Sequence, residues 1–385
     1  MKICLLTPPA LVTRLWNPDV WTITERHNQA RDNGYIFFRY MREQHPEKKV
    51  YYIIDRDADD LKKIEKYGNI IFSNSWRHYF YYVLSKVHIS SHTGFGCPDG
   101  AVVSRWLKKP LHLFNVLLPH GVSYGVADFV LGKYGFIDLF ICSGKLEYDN
   151  VLENYGYTAE QVAYTGFPRL DEWHNIQVKN NQIVLMPTWR MYLVRDPNLV
   201  FEDSAYFKAY QNLINNRELQ QFLETNQLKL VFYLHHEMQK YAGSFSSDCT
   251  CIEIVERDDQ YDIQELLKES ALLITDYSSV HFDFAYMNKP VIYYQFDKED
   301  FYGKQYQKGL FEVERDGFGP VIDKEEDLVR TIKSFYERKF KMSERYYQRM
   351  RAFYQLHDEH NCERVYETIC KKMELKGIHE SFPHC

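Results

Sequence analysis

Short apolar runs alternate with helix-length amphipathic segments along most of this chain, and that alternation restricts the fold more than any other feature. Runs with no polar residue at every second position suit strands buried on both faces. Parallel strands joined by crossover helices are the arrangement that buries them, so the pattern predicts an α/β protein with parallel sheets. In the first half the runs predict strands at Lys2–Leu6, Val50–Ile54, Ile70–Phe72, Val87–Ser90, Leu113–Leu118, Leu139–Cys142 and Gln161–Tyr164, with helices at Gly34–Gln44 and Trp76–Ser85. In the second they predict strands at Ile183–Met186, Lys229–Leu234, Cys251–Val255, Leu272–Thr275 and Val291–Tyr294, with helical patterns near 204–226, 262–269 and 279–288. After Pro320 the pattern is helical through Glu325–Phe340, Ser343–Leu356 and Cys362–Leu375. The polar stretch Asn175–Gln182 reads as a linker, which divides the chain into domains 1–176 and 177–385, the second carrying the closing helices. Two doubly wound halves in tandem predict a cleft between facing strand C-termini, where open α/β sheets bind ligands.

A chain of 385 residues exceeds one ordinary core and suits two. Its 47 basic and 53 acidic residues leave a net charge of −6, so no global positive field draws it to nucleic acid or anionic lipid, and any anion site must be local. The eight cysteines form no CxxC pair and no disulfide or zinc spacing, which fits a reducing cytoplasm. Pro8 and Pro9 interrupt the first apolar run, and no stretch approaches the roughly 18 apolar residues of a membrane span. The expectation is a soluble or peripherally attached protein. Most of the 31 Tyr and 25 Phe suit core packing and half-buried strands.

Five turns carry groups suited to chemistry. In Thr275-Asp276-Tyr277-Ser278-Ser279 a strand ends in hydroxyls at a helix start, which serves either as a plain N-cap or as an anion site. No Glu or Gln completes a capping box, because His281 and Phe282 stand three residues on. In Leu118-Pro119-His120-Gly121 a strand ends in an imidazole, the side chain best suited to take a proton from a hydroxyl near neutral pH. His235-His236-Glu237 ends another strand, but adjacent residues on extended chain point to opposite faces, so a metal site is not expected there. Gly166-Phe167-Pro168-Arg169-Leu170-Asp171 and Pro187-Thr188-Trp189-Arg190 place arginine forks, suited to phosphate or to a surface pair such as Arg169 with Asp171, on either side of the linker. Arg31-Asp32-Asn33-Gly34 is a further polar turn before a helix.

The sequence has no GxxxxGK[ST], GxGxxG or GxSxG element, which removes P-loop, dinucleotide-binding and α/β-hydrolase readings. Asp55-Arg56-Asp57 is a DxD only in letter. Taken in order, His120-Gly121, Gly166 to Asp171, Pro187 to Arg190, His235, Thr275 to Ser279 with Phe282-Asp283 and Lys289 to Tyr294, and Gly319-Pro320-Val321 resemble the CDP-glycerol glycerophosphotransferase family of teichoic acid and capsule polyol-phosphate transferases. Pro119 stands where that family usually has tryptophan, and His236 where proline is common. The resemblance implies a GT-B fold and transfer of glycerol phosphate from CDP-glycerol to a lipid-linked polymer at the inner face of the bacterial plasma membrane. CDP-ribitol or a nucleotide sugar is the alternative donor. It assigns catalysis to His120 and His235, and donor binding to Arg169, Thr188, Arg190, Asp276, Ser278, Ser279 and Asp283, with no metal, no cofactor and no nucleic acid partner.

Overall fold

The computed structural model describes residues 2–17, 19–126, 128–174, 176–195, 200–256, 261–304 and 309–375. The chain divides into two compact units, one formed by residues up to Glu172 together with the chain from Gln355, the other by Trp173–Tyr354.

The first unit is built on seven parallel strands: β1 (Val20–Thr24), β2 (Lys49–Ile54), β3 (Ile70–Phe72), β4 (Val87–Ser90), β5 (Phe114–Leu117), β6 (Leu139–Cys142) and β7 (Val162–Tyr164). Their order is β3-β2-β1-β4-β5-β6-β7. The second unit holds β8 (Lys179–Leu185), β9 (Lys229–Phe232), β10 (Ile252–Ile254), β11 (Ser270–Thr275), β12 (Val291–Tyr294) and β13 (Val321–Ile322), in the order β10-β9-β8-β11-β12-β13. In both sheets the chain winds outward from the first strand in one direction and then in the other. The strand order therefore reverses between β1 and β4, and again between β8 and β11, and at such points the loops at the strand C-termini part to leave a crevice.

The run Lys2–Leu6 is not a strand. It opens the helix Lys2–Trp16, which continues through Pro8 and Pro9. Ile3 and Ala10 are buried in that helix and pack with Tyr79, Tyr82 and Val83, so the run follows helical periodicity, and Thr7 and Thr13 back-bond the carbonyls of Ile3 and Pro9. The strand role falls to Val20–Thr24, buried at all five positions at the centre of the sheet. The stretch expected as a linker is partly strand, since β8 begins at Lys179, while Asn175 lies outside the described residues.

The C-terminal helices divide between the units. Glu325–Glu337 buries Leu328, Val329, Ile332 and Phe335 in the core of the second. Asn361–Leu375 belongs to the first, where the Asp171 carboxylate accepts from the backbone N–H groups of Asn361 and Cys362, both at 2.8 Å. That is a side-chain cap supplied from a distant turn. Gly166, at φ +82°, lies where a Cβ would overlap the Asn361 side chain.

Gly319 permits the closest approach in the second sheet, because a Cβ there would overlap the Val291 carbonyl oxygen of β12. Backbone cannot move aside as a flexible side chain can. Gly319→Ala is expected to lower stability by about 1–3 kcal/mol in denaturant unfolding, whereas Gly303→Ala, which meets nothing within 4 Å, leaves it within about 0.5 kcal/mol or raises it.

Candidate active site

In the first unit the crevice between β1 and β4 collects the loops that follow β1, β4 and β5. Their strands are wholly buried, so the first polar residues after each strand emerge together at one end of the sheet. After β5 comes His120, whose ring is exposed and stacks on His92, which follows β4, with centroids 5.6 Å apart and planes 10° from parallel. Burial pushes the His92 imidazole down to about 4, with the facing His120 adding to the effect. Desolvation by the surrounding protein likewise lowers the pKa of His120, partly offset by Asp32 and by the Ser91 backbone. The ring is therefore neutral at pH 7. A neutral imidazole keeps a lone pair on one ring nitrogen, with which it can take a proton.

Asn33 fixes the loop that carries His120. Its amide donates to the Pro119 carbonyl at 2.7 Å, and its side-chain oxygen accepts the Arg169 N–H at 3.1 Å. Two buried carboxylates hold the backbone on either side. Glu25 accepts from the N–H groups of Arg31, Asp32 and Tyr35 at the start of the helix Asn33–Gln44. Glu147 accepts from those of Ser123 and Ser143, both at 2.6 Å. Burial raises both to about 7, with Asp32 adding to the shift at Glu25 and the backbone bonds opposing it in each case. Arg169 turns inward, 2% exposed, to pair with Asp32 at 2.9 Å rather than with Asp171.

In the second unit the crevice between β8 and β11 is organised by Arg190. Its guanidinium is fully buried, and each nitrogen is bonded within the protein: Nε to Asp297 (2.8 Å), Nη1 to the Thr188 carbonyl (2.7 Å) and Nη2 to Asp276 (2.8 Å) and Asp297 (3.0 Å). Burial alone pulls the guanidinium pKa down, but Asp276 and Asp297 overcome it and hold the group charged. Tyr206, Tyr277 and Phe301 present their rings to the cation at 5.0–5.1 Å. Asp276 in turn accepts the Thr188 N–H at 2.7 Å and the Tyr210 hydroxyl at 3.2 Å. The loops after β8, β11 and β12 are thereby locked to one another.

This lock leaves a set of neutral donors. Thr188 is 7% exposed, and its hydroxyl has no hydrogen-bond partner among the described residues. Ser278 and Ser279 are half-buried. Ser279 precedes the helix Val280–Tyr286 with helical backbone angles and no capping bond from its side chain, and Ser278 makes only a long 3.5 Å contact with the Val280 N–H. A plain cap therefore does not account for the pair. His235, half-buried after β9, accepts the Glu237 N–H on Nδ1 at 3.3 Å, which places the ring proton on Nε2, and it stacks on Trp189 with centroids 6.0 Å apart. Asp283 lies half-buried in the short helix.

Of the residues singled out in the sequence, His120 falls in the first crevice and Thr188, His235, Ser278 and Ser279 in the second. Arg169, Arg190 and Asp276 face inward and hold loops in place, which differs from the expected direct grip on phosphate: Arg169 pairs with the half-buried Asp32, and Arg190 with the buried Asp276 and Asp297. Glu25, His92, Glu147 and Asp297 were missed, and Asn33 stood in the polar turn before the helix with no role assigned to it. The His120–Gly121 turn pointed to the site, but no local pattern marks the residues that brace it. Among the described residues, no cluster of three or more His, Cys, Asp or Glu is placed to hold a metal ion, and Asp55 bonds Ser73 instead. Asp276→Asn would leave Arg190 short of one buried charge, so about 3–5 kcal/mol of stability is expected to be lost, measurable by denaturant unfolding.

The sequence pattern of the CDP-glycerol:poly(glycerophosphate) glycerophosphotransferase family matches residues 10–371. Among individual relatives, the minor teichoic acid biosynthesis protein GgaB of Bacillus subtilis (strain 168) is 32% identical over 367 residues, covering 91% of this chain and 39% of its own. The teichoic acid poly(glycerol phosphate) polymerase of the same organism is 23% identical over 383 residues, covering 88% and 47% respectively. The chain thus spans less than half the length of these two relatives. Among solved structures, the wall teichoic acid polymerase TagF, in a form soaked with CDPG, superposes with a TM-score of 0.68 at 15% identity over 97% of this chain and 98% of that one. A UDP-N-acetylglucosamine 2-epimerase from Listeria monocytogenes gives 0.58 at 14% identity, covering 95% and 100%. At these identities the structures speak to fold, and the fold is GT-B-like. By the extent of the family match, this chain is a member of the CDP-glycerol:poly(glycerophosphate) glycerophosphotransferase family.

Proposed function

We propose that the chain transfers glycerol phosphate from CDP-glycerol to the terminal hydroxyl of a lipid-linked teichoic acid or capsular polymer, releasing CMP. The observation that carries this reading is the family match across 10–371, together with the position of its motif residues at the strand C-termini beside both reversal points. The acceptor oxygen attacks the β-phosphorus, the one that bears glycerol. A new P–O bond forms there, the bond to the bridging oxygen breaks, and CMP departs with that oxygen and its electron pair. The acceptor proton passes to the lone-pair nitrogen of His120. Chemistry of this kind asks the protein chiefly for positioning and for stabilisation of spreading negative charge.

On this reading the first unit serves the acceptor and the second the donor. Nε2–H of His235 and the hydroxyls of Thr188, Ser278 and Ser279 hydrogen-bond the diphosphate oxygens, while Asp283 serves a ribose or glycerol hydroxyl. Arg190, Asp276 and Arg169 hold those groups in place from within. The acceptor is carried on a lipid, which makes the chain peripheral at the cytoplasmic face of the membrane. Among the described residues no helix is long and apolar enough to cross one.

CMP release measured with CDP-glycerol and a lipid-linked acceptor tests the reading. His120→Ala is expected to lower kcat about 10²–10⁴-fold and His235→Ala about 10²-fold or more. Near-normal rates in both variants would remove the assignment, and faster turnover with CDP-ribitol than with CDP-glycerol would change the donor. The Ser278→Ala, Ser279→Ala double variant is expected to weaken donor binding roughly tenfold or more by calorimetry. Because desolvation lowers the His120 pKa below its ordinary 6.5, the neutral base persists to lower pH, and the acid limb of the kcat/KM profile is expected below pH 6.5.

A further inference from the structure

We propose that a basic pocket between the helices Glu325–Glu337 and Glu344–Phe353 binds a polyol-phosphate strand away from the reaction crevice, as a second hold on the polymer. The pocket has a volume of about 350 Å³, and its lining includes Pro320, Arg330, Ser334, Arg338, Ser343 and Tyr346. Pro320 immediately precedes β13, which runs parallel to β12. The pocket therefore lies toward the N-terminal ends of the strands, at the opposite end of the second sheet from Thr188 and Ser278.

The chain as a whole is anionic, yet residues 338–351 carry six cations, Arg338, Lys339, Lys341, Arg345, Arg349 and Arg351, against Glu344 alone. Cations just past a helix C-terminus complement its dipole, which accounts for Lys339 and Lys341. The dipole disfavours Arg345, which stands in the first turn of the next helix. Elsewhere arginines meet carboxylates, as Arg31, Arg39, Arg190 and Arg364 do. Here, among the described residues, Arg338 and Arg345 form no ion pair, and Arg349 donates to the neutral carbonyls of Gly317 at 3.0 Å and Glu314 at 3.1 Å. Only Arg330 has a carboxylate, that of Asp327 at 3.0 Å. Tyr346 gathers Arg345 and Arg349 at 5.8 and 5.7 Å from its ring. Guanidinium groups collected with so few counter-charges suit a ligand that brings repeated negative charge.

Hydroxyls stand between these charges. Ser343 starts the helix Glu344–Phe353 without a capping bond from its side chain, and the hydroxyls of Ser334 and Tyr346 have no hydrogen-bond partner among the described residues. A polyol-phosphate strand matches that mixture, because it presents one charge per repeat with polyol oxygens in between. Arg345 and Arg349 are four residues apart, roughly 6 Å along the helix axis, which is the order of one three-carbon phosphodiester repeat. A bilayer fits this face less well. Within residues 325–353 only Tyr347, 37% exposed, is a large exposed apolar side chain, so little could enter an acyl layer. A nucleic-acid strand would want a ring in the pocket to stack its bases on, and the Tyr346 ring is already engaged by two guanidinium groups.

The identity of the strand rests on the transfer reading, but the test needs neither donor nor turnover. Short delipidated poly(glycerol phosphate) chains are titrated into the purified protein by calorimetry, and hydrogen exchange of the complex is followed by mass spectrometry. Binding that tightens with chain length and weakens with salt is expected, with slowed exchange across residues 331–349. Arg338→Gln combined with Arg345→Gln is expected to weaken it at least about tenfold. Both side chains are exposed, so unchanged thermal unfolding of the double variant confirms an intact fold. Absence of binding, protection confined to the loops of His120 and Ser278, or wild-type affinity in the double variant would each overturn the proposal. So would equal affinity for polyglutamate of the same charge, or a preference of this face for an oligonucleotide or for phosphatidylglycerol vesicles. CMP release assayed alongside separates the two readings. A chain that binds polymer here without transferring glycerol phosphate loses the transfer reading and keeps the site, and an active chain without this binding does the reverse.

Discussion

The second unit depends on one buried cation. Arg190 joins the loop after β8 to Asp276 after β11 and Asp297 after β12, and no other contact described there spans all three. A guanidinium taken out of water is tolerable only when each N–H has an acceptor and its charge has a partner. Asp276 and Asp297 meet that condition together with the Thr188 carbonyl, and the surrounding rings of Tyr206, Tyr277 and Phe301 fill the remaining space. An arginine suits this position because its planar fork reaches three loops at once, which a lysine ammonium does not. The arrangement fixes where Thr188 and Ser278 stand, although neither residue touches the guanidinium with its side chain.

The first unit solves the same problem with buried carboxylates and an amide. Glu25 and Glu147 each gather backbone N–H groups that loops and a helix start would otherwise leave unpaired, and Asn33 ties the His120 loop to the turn of Arg169. The two bracing systems differ in their response to pH. A carboxylate raised to about 7 in the fold and near 4.5 unfolded binds more protons in the folded state between those values. Its contribution to stability is therefore full below pH 4.5 and falls as pH rises through 7. The Arg190 guanidinium, held charged by Asp276 and Asp297, does not titrate in that range.

How much of this was legible in the sequence depended on the range of the interaction. Strands such as β3, β4, β6 and β12 were read to the residue, because a short apolar run bounded by polar turns is a local signal. Val20–Thr24 was not, since its two threonines break the apolar run, and one of them, Thr22, is satisfied only by His88 of the neighbouring strand at 2.8 Å. Lys2–Leu6 misled because Pro8 and Pro9 signal a stop, while the packing that sustains a helix through them comes from Tyr79, Tyr82 and Val83, some seventy residues away. His120, His235 and the serines were visible as strand-end chemistry. The inward orientation of Arg169 and Arg190 was not, because a fork drawn to phosphate and a fork drawn to a buried carboxylate look alike until their partners are known.

That inward orientation changes how an anionic donor would be held. With Arg190 committed to carboxylates, the polar groups beside the second reversal point include the hydroxyls of Thr188, Ser278 and Ser279 and the His235 ring. Fixed neutral dipoles stabilise charge well when they need not reorganise, and the ion-pair network limits that reorganisation by locking the loops that carry Thr188, Ser278 and Ser279. A free guanidinium would bind diphosphate in substrate and in product alike, and so retard release of the nucleotide. Dipoles aimed at oxygens whose charge grows during transfer bind the transition state in preference to either. On the proposed reading, the buried arginine would serve a phosphate site by fixing the geometry of the donors around it, while its own charge is already satisfied by Asp276 and Asp297.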